Sequence, residues 1–492
     1  MTLELHLIAT LPVLAPLVAA VLVLLLDVAV PHRREPHLLV AAGGLLAGAL
    51  GTLPGLREGA GDVRGAFCLP SGECLYAASR MVSVLQLTAL LAALVVVVLA
   101  WRDWTAPGPD GGRESTGRAP VVAALALGAT GGVVAVPAAG DLGTLLVALE
   151  LATLPTVALV VLARTTWAAP RRARAVEGGV SLLTTSLVSF ALLALGAGLW
   201  VAATGTALLG TSTEVEHPPL LVLAAIFLVA GLAFKVSAVP FHAWTPLTYA
   251  AAPLPVTTYL ATVSKVAALG GLVVVVQALG VVDETTLLGI AVLAAASMTL
   301  GNLVALTQTD TVRLLAWSTV AQAGWVLLPL ASLSSRAAHA ATSYLVVYVL
   351  ATLLAFVVVI AVARTDDDPR GRRPRTALAA HRGLLRTRPL LALPLALALL
   401  ALAGLPPAVI GTVAKIVALR PVLGEGTWWL AVVAAVNIAL GVMVYVRWLA
   451  VVISPTTAAP GEGPRTPPRL WVLVAVLTLL LVAGSIMPVG IV

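Results

Sequence analysis

The chain has 492 residues, 60% of them hydrophobic and 10% charged, with a mean hydropathy of +1.05 and a formal net charge of +7. This balance excludes a soluble globule, because too little polar surface is available to cover a core of this size. It also excludes a nucleic-acid binder, because the excess base lies in short arginine-bearing loops and forms no water-facing basic surface.

Taken in order, the chain contains fourteen apolar stretches of the roughly 20 residues needed to cross ~30 Å of hydrocarbon. They fall near 7–30, 37–53, 81–101, 119–138, 142–163, 178–204, 219–250, 254–281, 286–307, 312–332, 338–363, 389–419, 427–453 and 470–490. Most lack the alternation of a strand, and backbone in lipid must satisfy its own hydrogen bonds. The expected fold class is therefore an all-α membrane protein with about 14 transmembrane helices. The first stretch lacks a positive leader and a small-residue cleavage site, so it reads as a retained span and not a signal peptide.

The loops set the orientation. Most of the arginines fall in the odd-numbered loops, and the positive-inside rule places those loops in the cytoplasm and both termini outside. The richest, RTDDDPRGRRPRTALAAHRGLLRTRP from residue 364, reads as a topogenic, solubilising loop that ends in a short surface helix. Cys68 and Cys74 share the second loop, on the outer side. A disulfide there suits an oxidising compartment; two free thiols are the alternative, and the bridge is the expectation.

Two stretches, 219–250 and 389–419, are too long for one straight crossing. Pro240 interrupts the first, and Pro406 with Pro407 the second. Each proline removes a hydrogen bond to the carbonyl four residues back. Carbonyls at Val236, Leu402 and Ala403 are thereby freed at membrane depth, where such backbone is tolerated only against protein or a hydrated cavity. Broken helices in corresponding positions of two halves point to inverted repeats. The expectation is two five-helix units, spans 4–8 and 9–13. The boundaries this implies are 1–118 for three leading helices, 119–281 and 282–453 for the two half-units, and 454–492 for a last helix.

The three lysines of the chain, Lys235, Lys265 and Lys415, all lie inside apolar stretches, and every other strong base is arginine. Arginine effectively never deprotonates, whereas a desolvated lysine can. Glu150 lies nine residues beyond Asp141, or ~13.5 Å at 1.5 Å per residue, near the bilayer centre. A charge there costs ~2.5–3.5 kcal/mol on insertion scales, so four such groups must pair or face water. A carboxylate ~4 Å from an ammonium is worth ~4 kcal/mol at an effective dielectric of ~20, similar in size to the burial penalty. Moving Glu150 toward or away from Lys235 would then switch that lysine between holding and releasing a proton. Lys265 and Lys415 would pass it on, with His242, Tyr249, Ser264 and waters as candidate relays. Structural ion pairing alone is the bland alternative.

These residues carry a resemblance. The run Phe234-Lys235-Val236-Ser237-Ala238-Val239-Pro240-Phe241-His242-Ala243-Trp244-Thr245-Pro246, then Ala252-Pro253-Leu254-Pro255-Val256 and Leu260 through Lys265, resembles the antiporter-like subunits of proton-pumping NADH-quinone oxidoreductase (respiratory complex I), subunit N among them. The wider family includes subunits of multisubunit sodium/proton antiporters. Asp141-Leu142 with Glu150-Leu151, and the run from Ala305 through Ser318, extend the match to roughly residues 119–450. The resemblance implies that Glu150 and Lys235 are a coupled pair, Lys265 a central connecting lysine and Lys415 a terminal one. It implies other membrane-arm subunits as partners, and a place in a bacterial-type plasma membrane.

No Rossmann glycine motif, iron–sulfur cysteine cluster or haem ligand pair is present, so the chain is expected to hold no cofactor and no metal itself. By the resemblance, NAD, flavin, iron–sulfur clusters and quinone belong to partner subunits. Two alternatives stay open. One is a subunit of a sodium/proton antiporter or membrane-bound hydrogenase. The other is a non-pumping structural paralogue, motivated by Leu247, Ala250 and Ala251 standing where the family carries Asp-x-Tyr-Glu-Gly.

Overall fold

The structure, a computed structural model, describes residues 7–30, 35–59, 61–70, 72–105, 118–162, 169–209, 217–279, 284–363, 376–424, 427–456 and 466–488. Its helices in chain order are α1 Leu11–Ala29, α2 Glu35–Thr52, α3 Arg80–Thr105, α4 Arg118–Ala135, α5 Leu142–Val161, α6 Ala169–Thr204, α7 Pro218–Val236, α8 Trp244–Ala251 and α9 Leu254–Ala261. They continue as α10 Val263–Ala278, α11 Glu284–Ala305, α12 Thr311–Leu330, α13 Ala337–Ala363, α14 Leu384–Thr387, α15 Pro389–Ala403, α16 Val409–Gly424, α17 Trp428–Ile453 and α18 Pro468–Ile486. The chain is thus an all-α membrane protein. Among the described residues, 12 helices are long and apolar enough to cross a membrane.

The tenth and twelfth expected stretches stand apart from those 12 for physical reasons. Helix α12 carries Arg313, Ser318, Thr319 and Gln322, which dilute its apolar run. The twelfth stretch is cut by its prolines, leaving α15 as a shorter apolar helix of 15 residues. Helix α6 begins at Ala169, ahead of the expected 178, because Arg171, Arg172 and Arg174 extend its first turns. Long arginine stems can lie along apolar surface while the head reaches water. The arginine-rich residues 364–375 lie outside the described residues. The rest of that loop forms a 3-10 turn, Leu378–His381, and the short α14.

One element was not anticipated. In the second loop, β1 Val63–Cys68 and β2 Cys74–Ser79 pair antiparallel, with Cys68 opposite Cys74, and the two cysteines are disulfide-bonded. The hairpin packs on the α4–α5 junction, where the Gly140 amide donates to the Leu75 carbonyl at 2.9 Å. A Cβ at Gly140 would fall 1.9 Å from the Cys74 carbonyl oxygen, so only glycine allows this approach.

The structure divides into two compact units, residues 1–236 with 251–287, and residues 237–250 with 288–492. In the first, α7 packs closely on α6. Gly231 meets Leu193 there, and the Ser189 hydroxyl donates to the Gly231 carbonyl at 2.7 Å. In the second, α13 is buried over nearly its whole length and serves as the central helix.

In each unit an aspartate caps a helix start, Asp141 at α5 and Asp310 at α12. Asp141 accepts from the Thr144 amide at 2.9 Å, and the Leu142 amide donates to the Ala207 carbonyl after α6. Asp310 accepts from the Arg313 amide at 3.0 Å, and the Thr311 amide donates to the Thr376 carbonyl after α13. Such N-caps satisfy amides that no helical carbonyl can reach.

Candidate functional site

Both helix breaks fall at the sequence-expected prolines. Helix α7 ends at Val236, and residues 237–243 are non-helical before α8. Ser237 is left-handed there, at φ 73, and the Val239 amide finds the Ser297 hydroxyl on α11 at 2.9 Å. Helix α15 ends at Ala403. Gly404 follows at φ 78, the conformation that glycine permits at a helix C-terminus. Its amide and that of Leu405 fold back on the Leu400 carbonyl, both at 2.9 Å.

Lys235 lies in the last turn of α7, where the helix dipole favours a cation. Its ammonium donates to Glu150 Oε1 at 2.8 Å, Thr153 Oγ1 at 3.1 Å and Ser186 Oγ at 3.2 Å. An ammonium has three N–H donors, and here each has an oxygen. The Lys235 and Glu150 side chains are 8% and 17% exposed. Glu150 and Thr153 are three apart on α5 and so share a face, while Ser186 comes from α6. The Thr153 hydroxyl spends its own proton on the Leu149 carbonyl at 2.7 Å, which leaves its lone pairs for Lys235. Thr153 and Ser186 were missed by the sequence reading. The available signal was a hydroxyl one turn beyond a mid-span carboxylate.

The freed carbonyls are not left bare. Lys265, 1% exposed, donates to the Val236 carbonyl at 3.1 Å and the Lys235 carbonyl at 3.3 Å. Lys415, 4% exposed, donates to the Ala403 carbonyl at 2.6 Å and lies over the Trp325 ring, 5.0 Å from its centroid. Gln322 reaches the Leu402 carbonyl at 3.4 Å.

The first unit therefore brings together Lys235, Glu150 and, through backbone, Lys265. Ser264 is half-buried next to Lys265 in sequence. The second unit holds Lys415, His242 and Tyr249. The His242 ring packs on Trp317 at 5.1 Å, and the buried Tyr249 ring meets Trp244 at 6.3 Å. Around Lys415 runs a neutral network the sequence reading did not find. The Tyr344 hydroxyl donates to Gln322 Oε1, Gln322 donates to the Tyr445 hydroxyl at 2.9 Å, and Tyr445 meets Ser318 at 2.7 Å. Among the described residues, no group of three or more His, Cys, Asp or Glu is arranged to hold a metal ion.

A multi-helix membrane fold with a broken helix, a carboxylate–lysine pair at the break and further buried lysines defines an antiporter-like membrane subunit. Residues 139–441 match the family model described as NADH:quinone oxidoreductase/Mrp antiporter, transmembrane. A subunit N of NADH-quinone oxidoreductase from Salinispora tropica is 41% identical over 480 residues, covering 94% of this chain and 87% of that protein. A chain of respiratory complex I from Thermus thermophilus superposes with a TM-score of 0.76 at 30% identity, covering 97% of each. A chain of the Mrp complex from a Dietzia species has a TM-score of 0.79 at 22% identity, which shows the fold alone. The chain belongs to the subunit N family of NADH-quinone oxidoreductases.

Proposed function

We propose that this chain is a proton-translocating membrane-arm subunit of a complex I-type NADH-quinone oxidoreductase. It moves protons through buried Lys and Glu side chains and waters, coupled to quinone reduction carried out by partner subunits. The observation that carries the reading is the Lys235 ammonium, held by Glu150, Thr153 and Ser186 at the end of a broken helix. Family membership supports the assignment to that enzyme.

In this reading, Glu150 closing on Lys235 favours the ammonium, and its withdrawal releases a proton to the route served by Lys265 and Lys415. His242, Tyr249 and Ser264 are relays, and Pro240, Pro406 and Pro407 keep the broken ends polar. The chain itself carries no redox chemistry; NAD, flavin, iron–sulfur clusters and quinone sit on its partners. It lies in a bacterial-type plasma membrane with both termini outside. Two inverted repeats, spans 4–8 and 9–13, underlie it, a reading supported by the matching Asp141 and Asp310 caps.

A second reading, a subunit of a sodium/proton antiporter, is motivated by the family model over residues 139–441, whose description names the Mrp antiporter beside NADH:quinone oxidoreductase. The test is to delete the chain, complement it, and follow NADH-driven proton uptake in inverted membrane vesicles. Uptake that falls on deletion and returns on complementation is expected. NADH-driven uptake unchanged by deletion, with sodium/proton exchange lost instead, contradicts the proposal in favour of the second reading.

A further inference from the structure

Both broken helices end in the same way. The last carbonyls of α7 and α15 have lost the amide that would have continued each helix, and in each case a lysine Nζ takes that place. Lys265 reaches across from the first turn of α10 to the Val236 and Lys235 carbonyls. Lys415 reaches back from α16, beyond the break, to the Ala403 carbonyl at 2.6 Å. The fit is close in the second case: a Cβ at Gly404 would lie 2.8 Å from Lys415 Cδ and 3.3 Å from its Nζ. The glycine that ends α15 is therefore also what lets the lysine lie across the helix end.

We propose that Lys265 and Lys415 are the C-terminal caps of the two broken helices, each holding its break in place by donating to the carbonyls at the cut end. The physical case is direct. A helix C-terminus carries roughly half a negative charge, and a charge-assisted hydrogen bond to it is about twice as strong as a neutral one. An ammonium offers three donors. The amine left after proton loss offers two and no longer carries the charge that strengthens them, which weakens the hold.

For Lys265 the capped carbonyl includes that of Lys235, so the cap fixes the backbone that aims Lys235 at Glu150. Lys265 is then a positioning residue for that pair, in addition to any proton it carries. For Lys415 the cap joins the two halves of the twelfth span. This inference deepens the proton-translocation reading and rests on it for its functional consequence: a proton leaving either lysine loosens a helix break.

The experiment is hydrogen–deuterium exchange of the full chain in its assembled form, extracted into lipid nanodiscs, with proton pumping measured on the same preparations. The variants are Lys265→Met, Lys265→Arg, Lys415→Met and Lys415→Arg. Methionine keeps the apolar stem and removes every donor; arginine keeps charge and donors. The expected result is exchange about tenfold faster, or ~1.4 kcal/mol, at residues 237–243 in Lys265→Met and at 404–411 in Lys415→Met. The arginine variants stay near wild type there, and α13 is unchanged throughout.

Methionine variants that exchange like wild type overturn the capping role. If they also lose pumping, the proton-translocation reading stands without it. Methionine variants that exchange faster yet pump normally support the cap and count against these lysines as proton carriers. Where methionine disturbs α13 as well, the arginine variants decide. Exchange near wild type supports the cap, and exchange as fast as in the methionine variant overturns it.

Discussion

The Lys235–Glu150 pair offers the sharpest energetic test, a double-mutant cycle on Glu150→Gln and Lys235→Met. At 2.8 Å and an effective dielectric of ~20, the gross attraction is ~6 kcal/mol. Both groups are largely removed from water, and desolvation cancels part of that. What remains measurable is the cost of orphaning one partner, ~3–5 kcal/mol for a buried pair.

Glu150→Gln leaves an ammonium with two hydroxyls and an amide. Lys235→Met leaves a carboxylate with no cation. The double variant leaves neither charge, so it should be less destabilised than the two single losses added together, by ~2–3 kcal/mol. Unfolding midpoints of the assembled chain in lipid nanodiscs give the cycle. Pumping in Glu150→Gln should fall at least about tenfold, since ~1.4 kcal/mol already corresponds to that factor. Effects that add to within ~0.5 kcal/mol would refute the coupled pair, whatever the pumping rate.

Other predictions concern the surroundings. Ser186→Ala and Thr153→Val each remove an acceptor from the Lys235 ammonium, and each should destabilise by ~1.5–3 kcal/mol; unchanged unfolding midpoints would remove these hydroxyls from the site. Gly404→Ala places a Cβ 2.8 Å from Lys415 Cδ at φ 78 and should cost ~1–2 kcal/mol from backbone alone, read as a lower thermal midpoint. Burial of His381 beside the Trp448 ring lowers its pKa to about 4. Its neutral form is therefore favoured on folding. Stability of the 376–388 segment should be complete above pH ~6.5 and drain by up to ~3 kcal/mol as pH falls toward 4. Hydrogen exchange of that segment should show this trend in wild type and lose it in His381→Gln; a flat wild-type profile would contradict it.

How much of this was legible in the sequence depends on which force decides each feature. Twelve of the fourteen expected spans were legible, because hydrophobic length is a property of single stretches. The breaks at Pro240 and Pro406–Pro407, and the freed carbonyls of Val236, Leu402 and Ala403, follow from the covalent geometry of proline. Glu150 and Lys235 were nominated by depth and charge alone. Their 2.8 Å contact depends on α5 and α7 both packing on α6, which no local pattern states. Ser186, Gln322, Tyr344 and Tyr445 were not nominated because hydroxyls and amides are common in membrane helices. Their meaning comes only from which helix they face. The hairpin at 63–79 was hidden because its strands are six residues each and are held by a disulfide and by a backbone contact at Gly140. The destination of the carbonyls freed by proline was likewise not readable: Lys265 lies 29 residues from Val236 in sequence.

The most direct measurement is proton pumping by the assembled complex carrying Lys235→Arg, reconstituted in liposomes. Arginine keeps the charge beside Glu150 but does not give up its proton. The account predicts that the variant assembles, that its partner subunits still oxidise NADH, and that pumping through this chain is abolished. Pumping at the wild-type rate would contradict it.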